Sequence, residues 1–172
     1  MAAALLSAQL AAREAAVAVC SAGLAGTGQP PPAEVIEVMA ARGLDVARQR
    51  SRAVTPADLA RADLILGMSR EHVRHATVLL PQAWPRAFTL RELARRGHQA
   101  GPRGPAEPLD GWLARAASGR DRRDLLGASL ADDVADPSGG PRHGYDATAS
   151  ALDQLTHELA DLCWPFARRA AR

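Results

Sequence analysis

The run ADLILGM at positions 62–68 narrows the possible folds more than any other stretch of the chain. It is apolar almost throughout, too short for a typical helix, and followed by the breakers Gly67 and Ser69. Such a run reads as a parallel strand covered on both faces rather than the alternating strand of a half-wet antiparallel sheet. Parallel neighbours cannot be joined by a tight hairpin, so the flanking sequence has to supply crossover helices.

It does so on both sides. Upstream, Thr55 before Pro56, with Asp58 three positions on, spells a helix start: a hydroxyl cap, a proline whose missing N–H costs nothing there, and an acid near the positive end of the helix dipole. Downstream, Ser69 caps a helix expected to run to about Leu80 and stop at Pro81, and RAFTL at 86–90 reads as a last short strand before Arg91 and Glu92. Residues 2–13 are strong helix formers leading into VAVCSAG at 17–23, a β-rich run closed by glycine. A Gly/Pro-rich loop at 24–32 precedes a helix over 33–42, with Val35, Ile36, Val38 and Met39 apolar and Gly43 as its stop. A final helix over 145–163 carries Leu152, Leu155, Leu159 and Leu162 on one face.

The order αβαβαβ implies an α/β fold, a three-layer sandwich of helices on both faces of a short parallel sheet, with right-handed crossovers. Ligands of such sheets bind at the carboxyl ends of the strands. A length of 172 residues fits a single domain spanning 1–172, and residues 97–135, rich in Gly, Pro, Arg and Asp, read as a loop-rich insertion within it with one short amphipathic piece at 112–117.

Composition removes several function classes. A hydrophobic fraction of 47% with 23% charged residues suits a folded globule. All 21 basic residues are Arg, but the net charge is only +2, and the densest basic stretch, 115–123, has no interleaved aromatics and contains Asp121. No nucleic-acid partner is expected. No stretch approaches membrane-spanning length, and the apolar opening at 1–10 lacks a basic leader and is followed by Arg13 and Glu14, so no membrane partner is expected either. Two cysteines far apart, Cys20 and Cys163, do not make a disulfide framework; both read as small buried thiols of a cytoplasmic protein. His72, His75, His98, His143 and His157 show no metal-ligand spacing with further donors, and neither metal nor cofactor is implied. Oligomeric state is not legible.

Ser21-Ala22-Gly23 after a strand, then Gly43-Leu44-Asp45, Arg50-Ser51-Arg52, Ala62-Asp63-Leu64-Ile65-Leu66 and Met68 resemble, in order and spacing, the low-molecular-weight protein-tyrosine phosphatase family. Asp136-Pro137, with Tyr145 eight residues after Pro137 at the start of the leucine-striped helix, strengthens the resemblance, which covers nearly the whole chain. It implies a phosphomonoester hydrolase acting on a phosphotyrosine protein or a small aryl phosphate through a phosphocysteine. Asp136 would protonate the leaving oxygen and then activate water. Ser21 and Gln49 would brace the phosphate loop, Gln49 standing where a histidine is expected, and Tyr145 would reach the pocket rim.

The resemblance also exposes a gap. The family's first strand, central in its sheet, ends in a Cys-x-x-x-x-x-Arg-Ser/Thr loop that cradles phosphate, and that loop should precede everything here. The sequence as given resembles a chain truncated just after it and is expected to be naturally longer, because losing a central strand would strand polar backbone groups at about 1–3 kcal/mol each if they were buried. Cys20 has Gly26 six residues on, and Cys163, although Arg169 follows at the right spacing, has no helix after it. A pseudophosphatase or protein-binding module is the alternative. Arsenate reductase ranks below it, because no cysteine lies between Cys20 and Cys163.

Overall fold

The computed structural model describes residues 1–24 and 26–166. Helix α1 (Ala2–Ala12) opens the chain, followed by α2 (Ala33–Ala40), α3 (Pro56–Arg61), strand β1 (Ile65–Gly67), α4 (Arg70–Leu79), a 3-10 helix (Pro81–Arg86), strand β2 (Ala87–Thr89), α5 (Leu90–Ala100), α6 (Leu109–Ala116), a second 3-10 helix (Arg122–Leu125) and α7 (Arg142–Cys163). The two strands pair in parallel with Ile65 opposite Ala87 and Gly67 opposite Thr89, and α4 makes the crossover.

Side chains alternate across this sheet, as the pleat requires. Ile65 and Ala87 pack with Val73 of α4 and Leu125, whereas Leu66 and Phe88 join the main core of Leu5, Met39, Leu93, Trp112 and Leu159. One face is thus covered by α4 and the other by the group of α1, α2, α5, α6 and α7, in which α7 packs against α1, α2 and α5. Packing is tight at Gly97: an added Cβ would lie 2.9 Å from Leu162 Cδ1 and 3.0 Å from Trp112 Cζ2, so α5 approaches α6 and α7 only because this residue has no side chain.

The start signal at Thr55 acts as the sequence predicts: Thr55 Oγ1 accepts the Asp58 N–H while Asp58 Oδ2 accepts that of Thr55. Thr89 and Glu92, not expected as a cap, form the same reciprocal box at α5. Helix α5 itself was not expected. Its Arg91, Glu92, Arg95 and Arg96 look polar, yet Leu90, Leu93, Ala94 and Gly97 make a buried stripe. Much of the 97–135 segment is correspondingly ordered, with α6 and the second 3-10 helix inside it. Residues 62–68 contract to a three-residue strand, with Ile65 and Leu66 only half-buried, and 86–90 to Ala87–Thr89.

The largest departure is at 17–23. No strand forms there; only Gly23 makes an isolated parallel bridge to Ala53, and Val17, Cys20 and Ser21 are exposed. Strand β1 pairs with β2 alone, so its other edge has no strand beside it among the described residues. The physical reason is that no strand lies beside it among the described residues: an extended apolar run becomes a strand only when another strand accepts its hydrogen bonds. The penalty for buried unpaired groups is avoided because residues 17, 18 and 20–24 lie open to water.

Candidate active site

Asp136 stands at the end of a loop that returns to the carboxyl end of β1. Its geometry is local first. Asp136 Oδ1 accepts the Ser138 N–H at 3.0 Å and the Ser138 hydroxyl at 2.7 Å, closing a turn around Pro137. The Ser138 hydroxyl, and after it the Ser138 N–H, hold the carboxyl below the usual carboxylate range, and the side chain remains open to solvent.

Three contacts then fix the loop in the fold. The Val134 N–H donates to the Met68 carbonyl at 2.8 Å, directly beyond β1. The Thr148 hydroxyl of α7 donates to the Ala135 carbonyl at 3.2 Å, and Gly144 of α7 faces Pro137. Asp132 and Asp133 bind the start of α4 from the other side: Arg70 Nη2 donates to Asp132 Oδ2 at 2.7 Å, and the Arg70 N–H donates to Asp133 Oδ1 at 2.7 Å. The turn from β1 into α4 is itself crowded, since a Cβ on Gly67 would sit 2.9 Å from His72 Cβ and 3.0 Å from the Ser69 carbonyl oxygen.

The other expected residues divide. Tyr145 lies at the start of α7 near this loop, with its ring buried against Val38 and Ala149 and Met1 and Val35 beside it. Ser21 and Gln49 are both exposed, on the two segments joined by the Gly23–Ala53 bridge, and among the described residues no hydrogen bond links either to Asp136 or Tyr145. Ser51, next to Arg50, does brace a glycine-rich loop: its hydroxyl accepts the Gln29 N–H and its carbonyl the Gly28 N–H. The sequence reading missed Asp132, Asp133 and Arg70; the signal was present in the acidic pair directly before Val134-Ala135-Asp136.

The two thiols differ sharply. Cys163 is fully buried, and that burial pushes its thiol up to about 12, with Arg103 offsetting a smaller part. A thiol so held is not ionised near neutrality and cannot attack phosphorus. Cys20, expected to be buried, is exposed. Arg169, six positions after Cys163, lies outside the described residues. Among the described residues, no group of three His, Cys, Asp or Glu side chains is arranged to hold a metal ion, and no helix is long and apolar enough to cross a membrane.

The profile of the low molecular weight phosphotyrosine protein phosphatases matches residues 1–109. The chain belongs to that family. Among solved structures it is similar to a low molecular weight protein tyrosine phosphatase from T. tengcongensis, 25% identical, covering 93% of this chain and 87% of that one with a TM-score of 0.69. It is similar also to the YwlE arginine phosphatase from Geobacillus stearothermophilus, 27% identical, with 93% and 80% covered and a TM-score of 0.66. The Vibrio vulnificus Wzb structure in complex with benzylphosphonate, 20% identical with 93% and 86% covered and a TM-score of 0.65, shares the fold. No curated protein sequence matches. The family assignment carries the α/β fold and the class of phosphatase hydrolases; the profile ends before the loop of Asp136.

Proposed function

We propose that this chain is the scaffold and general-acid part of a family phosphomonoesterase, in which Asp136 serves a thiolate loop seated against the unpaired edge of β1. The observation that supports it best is the placement of an open carboxylate, on a loop tied to Met68 and to α7, at the carboxyl end of a parallel sheet in which no strand pairs with the other edge of β1 among the described residues. Loop support by Ser21 and Gln49 and a rim role for Tyr145 belong to the same proposal.

The chemistry is a double displacement. A cysteine thiolate forms an S–P bond as the ester P–O bond breaks and Asp136 gives its proton to the leaving oxygen. Asp136 then takes a proton from water, which attacks phosphorus and frees the thiolate and inorganic phosphate. In the resting chain Asp136 is held ionised by Ser138. A bound phosphate dianion, a like charge close by, would raise its pKa enough for it to carry the proton of the first step. The ionised form is the one the second step needs.

Phosphotyrosine or a small aryl phosphate is the substrate class carried by the family resemblance. Phosphoarginine is a second reading, favoured by the likeness to an arginine phosphatase and by the lack of aromatic side chains at 24–28 and Ser138. Catalysis requires a loop that residues 1–172 do not contain, so the test compares two proteins. The 172-residue chain is assayed against an aryl phosphate and a phosphoarginine peptide alongside the same chain preceded by a strand ending in Cys-x-x-x-x-x-Arg-Ser. Turnover by the extended protein alone, lost on Asp136→Ala, supports the proposal. Turnover by neither, with the shorter chain stably folded, would leave the binding-module reading in its place. The relative rates on the two substrates decide the substrate class.

A further inference from the structure

The loop that carries Asp136 is not held by Asp136. Residues 129–135 are tied by two carboxylates that the chemistry above does not use. Asp132 is buried, and both its oxygens are taken: Oδ2 accepts from Arg70 Nε at 3.1 Å and Nη2 at 2.7 Å, and Oδ1 from Arg95 Nη2 at 2.9 Å. Asp133 bonds backbone at both ends, its Oδ1 to the Arg70 N–H at 2.7 Å and its Oδ2 to the Ser129 N–H at 2.9 Å. The Ser129 carbonyl in turn accepts from the Asp133 N–H at 2.7 Å, so the turn is closed on itself as well as on α4.

From these contacts we infer that Asp132 and Asp133 are positioning residues, a clamp between the general-acid loop and the first turn of α4 that sets where Asp136 stands relative to the end of β1. The inference rests on Asp136 having the role proposed above. Arg70 begins α4 directly after the turn that β1 enters, so a side chain and a backbone group of one residue fix the loop to the sheet's carboxyl end. The register is then passed through Val134, bonded to Met68, to Asp136 two residues on. Burial would raise Asp132, but Arg95 and Arg70 outweigh it and hold it ionised. The clamp is therefore closed at neutral pH without any ligand.

The clamp is tested first in the 172-residue chain by amide hydrogen exchange on Asp132→Ala, Asp133→Ala and Arg70→Ala. Each is expected to speed exchange of the Val134 amide by about tenfold or more, the scale of local opening when one or two bonds are lost, with the amides of Leu93 and Leu159 unchanged. An unchanged Val134, or equal acceleration of Leu93 and Leu159, would overturn it, the latter by showing that the pair merely stabilises the fold. Should either aspartate variant fail to fold, Arg95→Ala removes one half-exposed arm of the same clamp and is read in the same way. In the extended protein, the variants should lose more turnover of phenyl phosphate than of 2,4-dinitrophenyl phosphate, because only the poorer leaving group needs a well-placed acid. Equal losses on both would sink the positioning role. If the extended protein turns over neither substrate, the general-acid reading fails, and the exchange result still decides whether the clamp exists.

Discussion

Replacing Glu92 by Ala should destabilise the chain far more than replacing its partner Arg120 by Met. The Arg120 side chain is only 2% exposed and lies between the rings of Trp84 and Phe88, 4.0 and 3.9 Å from their centres. Its Nε and Nη2 donate to Glu92 at 2.7 and 3.1 Å, and Nη2 also reaches the Ala87 carbonyl at 2.7 Å. Without Glu92 a buried cation loses its counter-charge, a class of change that costs about 3–5 kcal/mol. Met at 120 keeps an apolar stem between the rings and leaves Glu92 paired with Arg96 Nε at 3.1 Å, so its cost is that of lost hydrogen bonds, about 1–3 kcal/mol. Against a total stability of about 5–15 kcal/mol the first change is a large fraction. Urea unfolding followed by tryptophan fluorescence reads both, with slopes expected to stay constant. The double variant should be no less stable than Glu92→Ala alone, since the stranded charge is then gone. Equal costs for the two single variants, or costs that simply add in the double variant, would refute the reasoning.

Two further outcomes follow from the same electrostatics and burial. Asp58, held down to about 2 chiefly by Arg52 and then Thr55, and Asp132, held down by Arg95 and Arg70 against its burial, both have folded pKa values below the unfolded value of 3.8. Their contribution is complete above 3.8 and lost as pH falls through the folded values, so the urea midpoint should drop between pH 3.8 and about 2, and Asp132→Asn should make that drop shallower. A midpoint flat over that range would contradict the assignment. Ellman's reagent should titrate the exposed Cys20 in the native chain and the buried Cys163 only after unfolding, and rapid native labelling of Cys163 would show that α7 is not packed as described.

What could be read from the sequence was what depends on a few neighbouring residues. Thr55-Pro56 with Asp58, and Thr89 with Glu92, are capping boxes whose partners are three positions apart, and the leucine stripe of α7 needs only its own helical repeat. Helix α5 was legible in principle, since Leu90, Leu93, Ala94 and Gly97 stand at helical spacing, but Gly97 read as the start of the loop-rich 97–135 segment; it is there because Trp112 and Leu162 leave no room. Residues 17–23 misled for the opposite reason. Their β-propensity is real, but a strand is completed by its neighbour, and local sequence carries no information about whether that neighbour is present. Arg120 and Glu92, and Arg70 with Asp132, are pairings across 28 and 62 positions, which no local pattern announces.

The candidate site shows the same division between local and distant causes. Asp136 was found through the family resemblance of Asp136-Pro137 with Tyr145 downstream, and Ser138 two residues on closes the Asp-Pro turn and helps set the ionisation of the acid. A carboxylate in a turn is common, though, and says nothing by itself about catalysis. What separates Asp136 from an ordinary turn residue is where the fold delivers it: Val134 to Met68, Ala135 to Thr148, and Asp132 and Asp133 to Arg70 bind one short loop to a strand end, a long helix and a helix start. These bonds converge at the carboxyl end of β1, the end at which parallel sheets bind ligands. Asp136 therefore stands in a fixed position near the carboxyl end of β1, and the strand proposed above to pair with that edge would bring its own carboxyl-end loop to the same end of the sheet.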